Sequence, residues 1–154
     1  MRIVTYRDEF KDKAISFIQK IWVDLGRTVN LEGNEKDLLN IPQEYQAAGG
    51  EFWVVLDDAD EVVGTAALRP INQTEAEFGR LYLDHAYRGK GIGQDLVNRG
   101  VSKAQESGFE VIKLDTSKKL KQAYGLMQKV GFKTTRCLDD ANQTVFMEMR
   151  LPKR

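Results

Sequence analysis

Residues 77–93 read EFGRLYLDHAYRGKGIG and join a strand to a helix through a glycine-rich turn. Apolar and polar side chains alternate over 75–83, which predicts the strand. Apolar residues recur at helical spacing over 91–107 and are followed by Gly108, which predicts the helix and its end. This succession restricts the folds open to the chain, because the next strand must return to the same sheet by a right-handed crossover.

The turn carries three glycines within Arg88-Gly89-Lys90-Gly91-Ile92-Gly93. Glycine adopts positive φ at no steric cost and lets a ligand approach the main chain. The first N–H groups of a helix have no internal acceptor and lie at the positive end of its dipole, so this segment is predicted to bind phosphate oxygens. The loop fits neither the Walker nor the Rossmann spacing, since Gln94 stands where each requires another residue. A glycine-rich turn without a ligand stays the alternative.

Outside this segment the pattern predicts six further strands, two further helices and a short amphipathic piece at 35–39. The strands are expected at 2–6, 51–56, 62–68, 111–114, 132–138 and 144–149, and the helices at 8–26 and 119–130. Asp8 is the expected N-cap of the first helix, and Gly26 and Gly131 are the expected helix ends. The fold class is therefore α+β, with a mixed, mostly antiparallel central sheet of about seven strands and helices on both faces.

The length of 154 residues suits one domain, which we expect to span 1–154. Lys plus Arg equal Asp plus Glu at 23 each, and this balance argues against a nucleic-acid partner. A single cysteine, Cys137, and a single histidine, His85, leave no disulfide and no His-rich metal site, so no metal is expected. The chain has no apolar signal segment and no long apolar run, so we expect a cytoplasmic protein without membrane contact.

The spacing Arg-x-x-Gly-x-Gly resembles the acyl-CoA pyrophosphate signature of the GNAT superfamily of N-acetyltransferases. Residues 50–70 resemble its second and third strands, and Leu114-Asp115-Thr116 resembles the end of its fifth strand. Residues 123–132, AYGLMQKVGF, resemble the helix and turn that close its cofactor site. The resemblance covers nearly the whole chain. It implies the acyl-CoA N-acyltransferase fold, in which the fourth and fifth strands are parallel and splay apart, with acetyl-CoA as co-substrate.

The resemblance also implies where the cofactor would lie. Pantetheine would occupy the cleft between the splayed strands, against the backbones of Leu81, Tyr82 and Leu83, and the pyrophosphate would lie on Arg88, Gly89, Lys90, Gly91, Ile92 and Gly93. A bulge is the usual device for such a splay, and Gly79 is placed to permit one. Residues 88–121 hold eight Lys or Arg and four Asp or Glu, and this local positive excess suits a phosphorylated ligand.

The implied reaction is attack by a neutral amine on the acetyl thioester. Glu77 matches the fourth-strand glutamate that many family members place beside the acceptor amine, and it is the expected general base, with Glu75 as a weaker candidate. A cross-strand ion pair is the alternative role for Glu77. Met127 replaces the usual tyrosine of the family, so Tyr124, one helical turn earlier, is the candidate general acid. Half-buried packing is the alternative role for Tyr124.

The acceptor is expected to be a primary amine of a small molecule or peptide, bound by residues 22–50 and 136–146. Aromatic candidates for its pocket are Tyr45, Phe52 and Trp53. Trp22 falls on the apolar face of the first helix and is expected in the core instead, and Cys137 is expected to pack within its strand.

Two other functions stay open on the sequence. Met127 and Leu120, which replace a tyrosine and an asparagine frequent in the family, favour a CoA-binding regulatory or interaction module that has lost transfer. A nucleotide-binding protein could use the same loop, but the failed Walker and Rossmann spacings disfavour it. If the chain associates, a homodimer is expected, because twofold dimers are the commonest soluble oligomers.

Overall fold

Seven strands form one sheet in the computed structural model of the chain, which describes residues 1–152. The strands are β1 (Arg2–Thr5), β2 (Glu51–Leu56), β3 (Val62–Pro70), β4 (Glu75–Leu83), β5 (Val111–Ser117), β6 (Lys133–Cys137) and β7 (Thr144–Arg150). Their order across the sheet is β1-β2-β3-β4-β5-β7-β6. β4 and β5 pair in parallel, and the other neighbours pair antiparallel. The predicted fold class is confirmed.

Three α-helices of the described residues cover the two faces of this sheet: α1 (Lys11–Asp24), α2 (Ile92–Glu106) and α3 (Lys121–Val130). One face packs against α1, a 3₁₀ turn at Lys36–Leu39 and a π-helical turn at Pro42–Gln46, and the other face packs against α2 and α3. The side chains of β2 alternate between the two sides, with Trp53 and Val55 facing α2 and Phe52, Val54 and Leu56 facing α1. No helix within residues 1–152 combines the length and apolar character that a membrane crossing requires.

The start of α1 differs from the prediction. A 3₁₀ turn at Asp8–Phe10 precedes the helix, and Phe10 occupies the N-cap position without a side-chain cap. Asp8 is therefore not the N-cap, and its carboxylate instead accepts a hydrogen bond of 3.1 Å from the Tyr6 hydroxyl. At the other end Gly26 follows the helix with a φ of 73°, as expected of a C-terminal glycine.

Two strands run further than their sequence pattern predicts, because a neighbouring strand pairs with the additional residues. β5 continues past 114 to Ser117 because it pairs along its whole length with β7, and β3 continues to Pro70 against β4. The π-helical turn was not predicted, since Pro42 reads as a break, although proline is tolerated at the first position of a helix. Cys137 is exposed on the edge strand β6, so the expectation that it packs within its strand is wrong.

The parallel pairing between β4 and β5 is short. Glu75–Glu77 pair with Val111–Lys113, and beyond them β4 pairs with β3 alone while β5 pairs with β7 alone. The two strands therefore diverge towards their C-terminal ends, and a cleft opens between them. This is the splay that the resemblance to the GNAT superfamily implied.

The packing of α2 on β4 has a testable consequence for stability. A Cβ at Gly100 of α2 would lie 2.6 Å from the ring of buried Phe78, whereas a Cβ at Gly125 of α3 would have no atom within 4 Å. We expect Gly125→Ala to stabilise the fold by up to about 1 kcal/mol through helix propensity. Gly100→Ala is expected to destabilise it by about 1–3 kcal/mol through overpacking. Urea unfolding of both variants measures the difference, and stabilisation by both would contradict the Gly100–Phe78 contact.

Candidate active site

A cleft of about 510 Å³ lies where β4 and β5 diverge. Residues 77–82 of β4 form one wall and residues 114–117 of β5 form the other. Further residues complete the cleft. They belong to the segment before β2, to β3, to α3 with its N-cap, and to the β6–β7 loop with the start of β7: Leu25, Arg27, Asn34, Tyr45, Ala67, Arg69, Leu120, Ala123, Met127, Asn142 and Thr144. The cleft thus gathers residues from nearly the whole length of the chain.

A bulge in β4 accompanies the divergence. Between two regular pairs, β3 supplies one residue where β4 supplies two, Arg80 and Leu81. Arg80 has a φ of 52°, a left-handed conformation that non-glycine residues rarely adopt. Gly79 was expected to permit the bulge, but the positive φ lies one residue later. Because the bulge adds a residue, Phe78 and Leu81 both pack on the α2 side of the sheet.

Beyond the bulge, the edge of β4 that faces the cleft carries backbone groups that have no partner among residues 1–152. The Asp84 N–H donates to β3 at 2.9 Å, so Tyr82 also directs its backbone towards β3, while Leu81 and Leu83 direct theirs away. The Leu83 carbonyl accepts a hydrogen bond of 3.0 Å from Nε of Arg88. The N–H and C=O of Leu81 are therefore presented to the cleft.

The glycine loop leads from the end of β4, where Arg88 contacts Leu83, into α2, and neither Leu83 nor residues 88–93 line the cleft. Gly89 and Gly91 have φ values of 76° and 82°, and Gly91 is the N-cap residue of α2. No side chain caps this end, and the N–H groups of Ile92 and Gly93 find no acceptor within residues 1–152. These donors and the helix dipole point to one place outside the helix, which suits an anionic group such as a phosphate.

The other residues of the loop have separate roles. Arg88 and Lys90 are exposed, and the Lys90 ammonium lies 5.6 Å from the ring centre of Tyr87. Gly93 lacks a positive φ, and a Cβ there would lie 3.3 Å from Leu126 of α3. The requirement for glycine at 93 is thus one of space, whereas at 91 it is one of backbone conformation.

Glu77 lies at the last position where β4 pairs with β5, and its side chain is accessible from the cleft. It makes no ion pair within residues 1–152, so the cross-strand pair considered from the sequence is absent. The cleft walls displace part of its hydration. This desolvation, followed by the negative charge of Asp115, raises the pKa of Glu77 above its ordinary value, against opposing effects of Arg69 and Arg80.

Glu75 has a different environment from Glu77. Its carboxylate pairs with the Lys113 ammonium at 2.5 Å and accepts a hydrogen bond of 3.0 Å from Asn72. These two contacts lower the pKa of Glu75, with Lys113 as the larger cause. A paired carboxylate of low pKa that does not line the cleft is a poor base, so the weaker candidate is set aside.

Tyr124 and Met127 both lie on α3, but they face different surroundings. Met127 is buried and lines the cleft. The Tyr124 hydroxyl shares a hydrogen bond of 2.8 Å with Oγ1 of Thr134 on β6, and Tyr124 is not among the residues that line the cleft. The structure thus does not bring Tyr124 beside Glu77, and its role as general acid stays a prediction.

Of the aromatic residues expected at the acceptor pocket, Tyr45 lines the cleft. Phe52 is fully buried between the rings of Tyr6 and Tyr45, and Trp53 is buried on the α2 side, so neither borders the cleft. Trp22 packs partly buried against the α1-side core, as expected. The alternation of β2 explains the two wrong assignments, because both of its faces are covered.

Sequence reasoning missed the ion pairs that border the cleft. Nη2 of Arg80 lies 2.8 and 3.0 Å from the two carboxylate oxygens of Asp37, and Arg69 pairs with Glu44. The partners of the first pair are 43 residues apart, so no local pattern signals them. The positive charge of each arginine is thus balanced by a carboxylate.

Two carboxylates of the cleft are left uncompensated. Glu77 and Asp115 make no ion pair within residues 1–152. A second chamber of about 420 Å³ adjoins the cleft and shares Arg69 and Glu77 with it. The carboxylate of Glu77 therefore borders both cavities.

Comparison with known proteins identifies related sequences. The sequence model of the "Acetyltransferase (GNAT) family" matches residues 14–132. N-acetyltransferase 8B of Homo sapiens is 33% identical over 104 residues, which are 64% of this chain and 46% of that protein. The uncharacterized N-acetyltransferase YjgM of Escherichia coli K12 is 32% identical over 123 residues, 78% of this chain and 71% of that protein. The chain spans about half the length of the human relative.

Solved structures share the fold at lower identity. A GNAT-family acetyltransferase from Staphylococcus aureus Mu50 superposes with a TM-score of 0.86 at 23% identity, covering 98% of this chain and 99% of that chain. The putative acetyltransferase yncA from Salmonella typhimurium, solved with its cofactor acetyl-CoA, gives a TM-score of 0.78 at 19% identity, covering 100% and 95%. At sequence identities this low, the comparison with these structures shows a shared fold alone.

The environment of Glu77 is open to direct measurement. We expect NMR titration of its carboxyl carbon to give a pKa above the ordinary glutamate value, because the cleft desolvates it and Asp115 repels a second negative charge. Asp115→Asn removes the repulsion and should lower the pKa of Glu77. Asp12→Asn, an exposed change on α1, should leave it unchanged. An unchanged pKa in Asp115→Asn would contradict the proximity of the two carboxylates.

Proposed function

Since the chain belongs to the GNAT family of acetyltransferases, we propose that it transfers an acetyl group from acetyl-CoA to a primary amine of a small molecule or peptide. The observation that carries this proposal is the cleft between β4 and β5. It combines an open strand edge with a carboxylate that has no ion-pair partner among residues 1–152, and the uncapped N-terminus of α2 follows the same strand through the glycine loop.

The residues of the cleft fit acetyl-CoA as co-substrate. Leu81 offers one backbone donor and one acceptor on the strand edge, where the amide groups of pantetheine would bind as a neighbouring strand does. Tyr82 contributes to the wall of the cleft, while Leu83 has its carbonyl engaged by Arg88. The pyrophosphate would lie on the N–H groups at the start of α2.

The charged residues of the loop support the same assignment. Arg88, Gly89, Lys90, Gly91, Ile92 and Gly93 form one continuous turn, with both cations exposed to solvent. A basic side chain near an oriented set of N–H donors strengthens binding of a phosphate group through charge-assisted hydrogen bonds. The zero net charge of the chain does not oppose this, because the cations are local to the turn.

Glu77 is the proposed general base. An alkylamine has a pKa of about 10.4 and is mostly protonated at neutral pH, so it must lose a proton before it attacks. The raised pKa of Glu77 makes it a stronger base than an ordinary carboxylate, and its position at the divergence of the strands leaves it open to the acceptor. Asp115 contributes by keeping that pKa raised.

The proposed reaction is a direct transfer of the acetyl group from the CoA sulfur to the amine nitrogen. The ammonium form of the amine loses a first proton to Glu77, directly or through a water, and Glu77 passes that proton to solvent. The neutral nitrogen then bonds to the acetyl carbon, and it loses a second proton to Glu77 as the carbon–sulfur bond breaks. The CoA sulfur then takes a proton. Tyr124 is the proposed donor, although its hydroxyl shares a hydrogen bond with Thr134 and Tyr124 does not line the cleft. A thiolate is a tolerable leaving group, so transfer without a strong acid is compatible with Met127 in the cleft.

A second candidate function rests on that same position. Met127 lines the cleft where the family usually has a tyrosine, and it has no proton to donate. This favours, as the alternative, a CoA-binding regulatory or interaction module with weakened transfer. The alternative shares the cofactor site and differs in turnover.

Binding at the glycine loop is tested by a pair of variants on one helix. Gly91 and Gly108 flank the two ends of α2, have φ values of 82° and 83°, and would each carry a Cβ in open space. Valine at either position strains the backbone alike. We expect Gly91→Val alone to weaken acetyl-CoA binding in calorimetry, by about tenfold or more, equivalent to about 1.4 kcal/mol. No binding of acetyl-CoA by the parent at millimolar concentration would refute the proposed function.

Transfer is tested on a panel of primary amines with a free-thiol readout. We expect Glu77→Gln to lower kcat/KM by about 10²-fold or more without loss of acetyl-CoA affinity, because a general base is removed. Glu75→Gln is the matched control on the same strand and should change little. Tyr124→Phe should lower kcat if its hydroxyl is the acid. A parent that binds acetyl-CoA but acetylates no amine would instead support the regulatory module.

A further inference from the structure

Arg80 adopts a backbone conformation that its own side chain does not favour. Its φ of 52° lies in the left-handed region, in the middle of a strand and next to a glycine that is not in that region. Such a conformation persists only where surrounding contacts hold it, and it is found most often at functional sites. Three contacts meet at this residue.

The first two contacts involve its side chain. Nη2 of Arg80 lies 2.8 and 3.0 Å from the carboxylate oxygens of Asp37, and the Tyr45 hydroxyl donates to Oδ2 of the same carboxylate at 2.5 Å. The Asp37 side chain is 3% exposed and the Arg80 side chain 16%. The third contact involves the backbone, because Oγ1 of buried Thr65 donates to the Arg80 carbonyl at 2.7 Å.

These contacts join parts of the fold that lie far apart in sequence. Asp37 belongs to the 3₁₀ turn and Tyr45 to the π-helical turn before β2, whereas Arg80 is the bulge residue of β4. Tyr45 and Arg80 both line the cleft. The cluster therefore ties the wall formed before β2 to the point where β4 leaves β5.

A buried ion pair of this kind is weak evidence for stability, because desolvation opposes the attraction of the charges. Its better-attested use is to impose one geometry among several. Here the competing geometry is plain: without the bulge, β4 would keep its alternation past Gly79, and the register that pairs Glu77 with Lys113 would bring Leu81 beside Ser117. Continued pairing with β5 would then close the cleft.

We propose that Arg80 is a positioning residue, held by Asp37 and Tyr45, that keeps β4 turned away from β5 and so keeps the cofactor cleft open. Its consequence for acetyl-CoA rests on the proposed function. The positioning role does not depend on the proposed function, because it concerns only which backbone N–H groups of β4 and β5 are paired.

Two substitutions at Arg80 separate the backbone from the side chain. Arg80→Gly permits the left-handed conformation but removes the tie to Asp37, and Arg80→Val removes both. Asp37→Asn keeps the shape of the partner and removes its charge. Ile18→Val, a fully buried change on α1 that does not border the cleft, controls for simple loss of stability.

Hydrogen exchange by NMR reads the pairing without any ligand. In the parent, the Leu81 N–H faces the cleft and should exchange fast. In Arg80→Val we expect it to become protected as β4 pairs with β5, while Ile18→Val leaves it fast. Arg80→Gly and Asp37→Asn should also increase the protection of this amide, but by less than Arg80→Val does. Fast exchange at Leu81 in all folded variants, equal to that of the parent, would overturn the proposal.

Calorimetry with acetyl-CoA gives the second reading, at a temperature where every variant is folded. We expect the dissociation constant to rise by about tenfold in Arg80→Val and by about threefold in Asp37→Asn and Arg80→Gly, as for loss of a preorganised site, with no change in Ile18→Val. If Arg80→Val does not fold, the other two variants carry the test. If the parent binds no acetyl-CoA, the proposed function fails, and hydrogen exchange still decides the positioning role.

Discussion

Parallel pairing between β4 and β5 stops after three residue pairs, and the remainder of the site depends on that limit. Each strand keeps its outer partner, so the sheet stays continuous at one end and opens at the other. An open strand edge inside a protein leaves donors and acceptors without partners, which is unfavourable unless a ligand or water supplies them. The fold therefore leaves a strand edge open to an extended, amide-containing molecule, which is the role that the proposed function gives to it.

The charges around the cleft fall into two groups with different consequences. Arg80 and Arg69 have carboxylate partners, so they contribute geometry more than net charge. Glu77 and Asp115 have no such partners among residues 1–152, and their mutual repulsion adds to desolvation in raising the pKa of Glu77. The zero net charge of the whole chain conceals this local arrangement. The exposed cations Arg88 and Lys90 lie in the glycine loop, whereas the unpaired carboxylates lie in the cleft.

Much of the candidate site was predictable from short segments. The glycine loop and Glu77 stand at distances from the predicted strand and helix that local patterns reveal, and the structure places Glu77 on the cleft and the loop between the end of β4 and the start of α2. The bulge was expected at Gly79 because glycine is the residue that tolerates positive φ, yet it occurs at Arg80, since Asp37, Tyr45 and Thr65 hold that residue there. Tyr124 was predicted from helical spacing, and that spacing cannot reveal that its hydroxyl forms a hydrogen bond with Thr134 of β6.

The sequence by itself determined the order of the elements, the parallel β4–β5 crossover and the loop before α2, because each depends on alternation, helical spacing or glycine positions within a few residues. The tertiary structure alone decided which carboxylate stays free. Glu75 and Glu77 are two residues apart on one strand, but Lys113 of β5 pairs with Glu75 and leaves Glu77 to the cleft. It also decided where β4 bends, since Asp37 and Arg80, which are 43 positions apart in sequence, meet only where the segment before β2 packs on the α1 side of the sheet. Interactions that span the chain leave no periodic trace in it, and they set the shape and charge of this site.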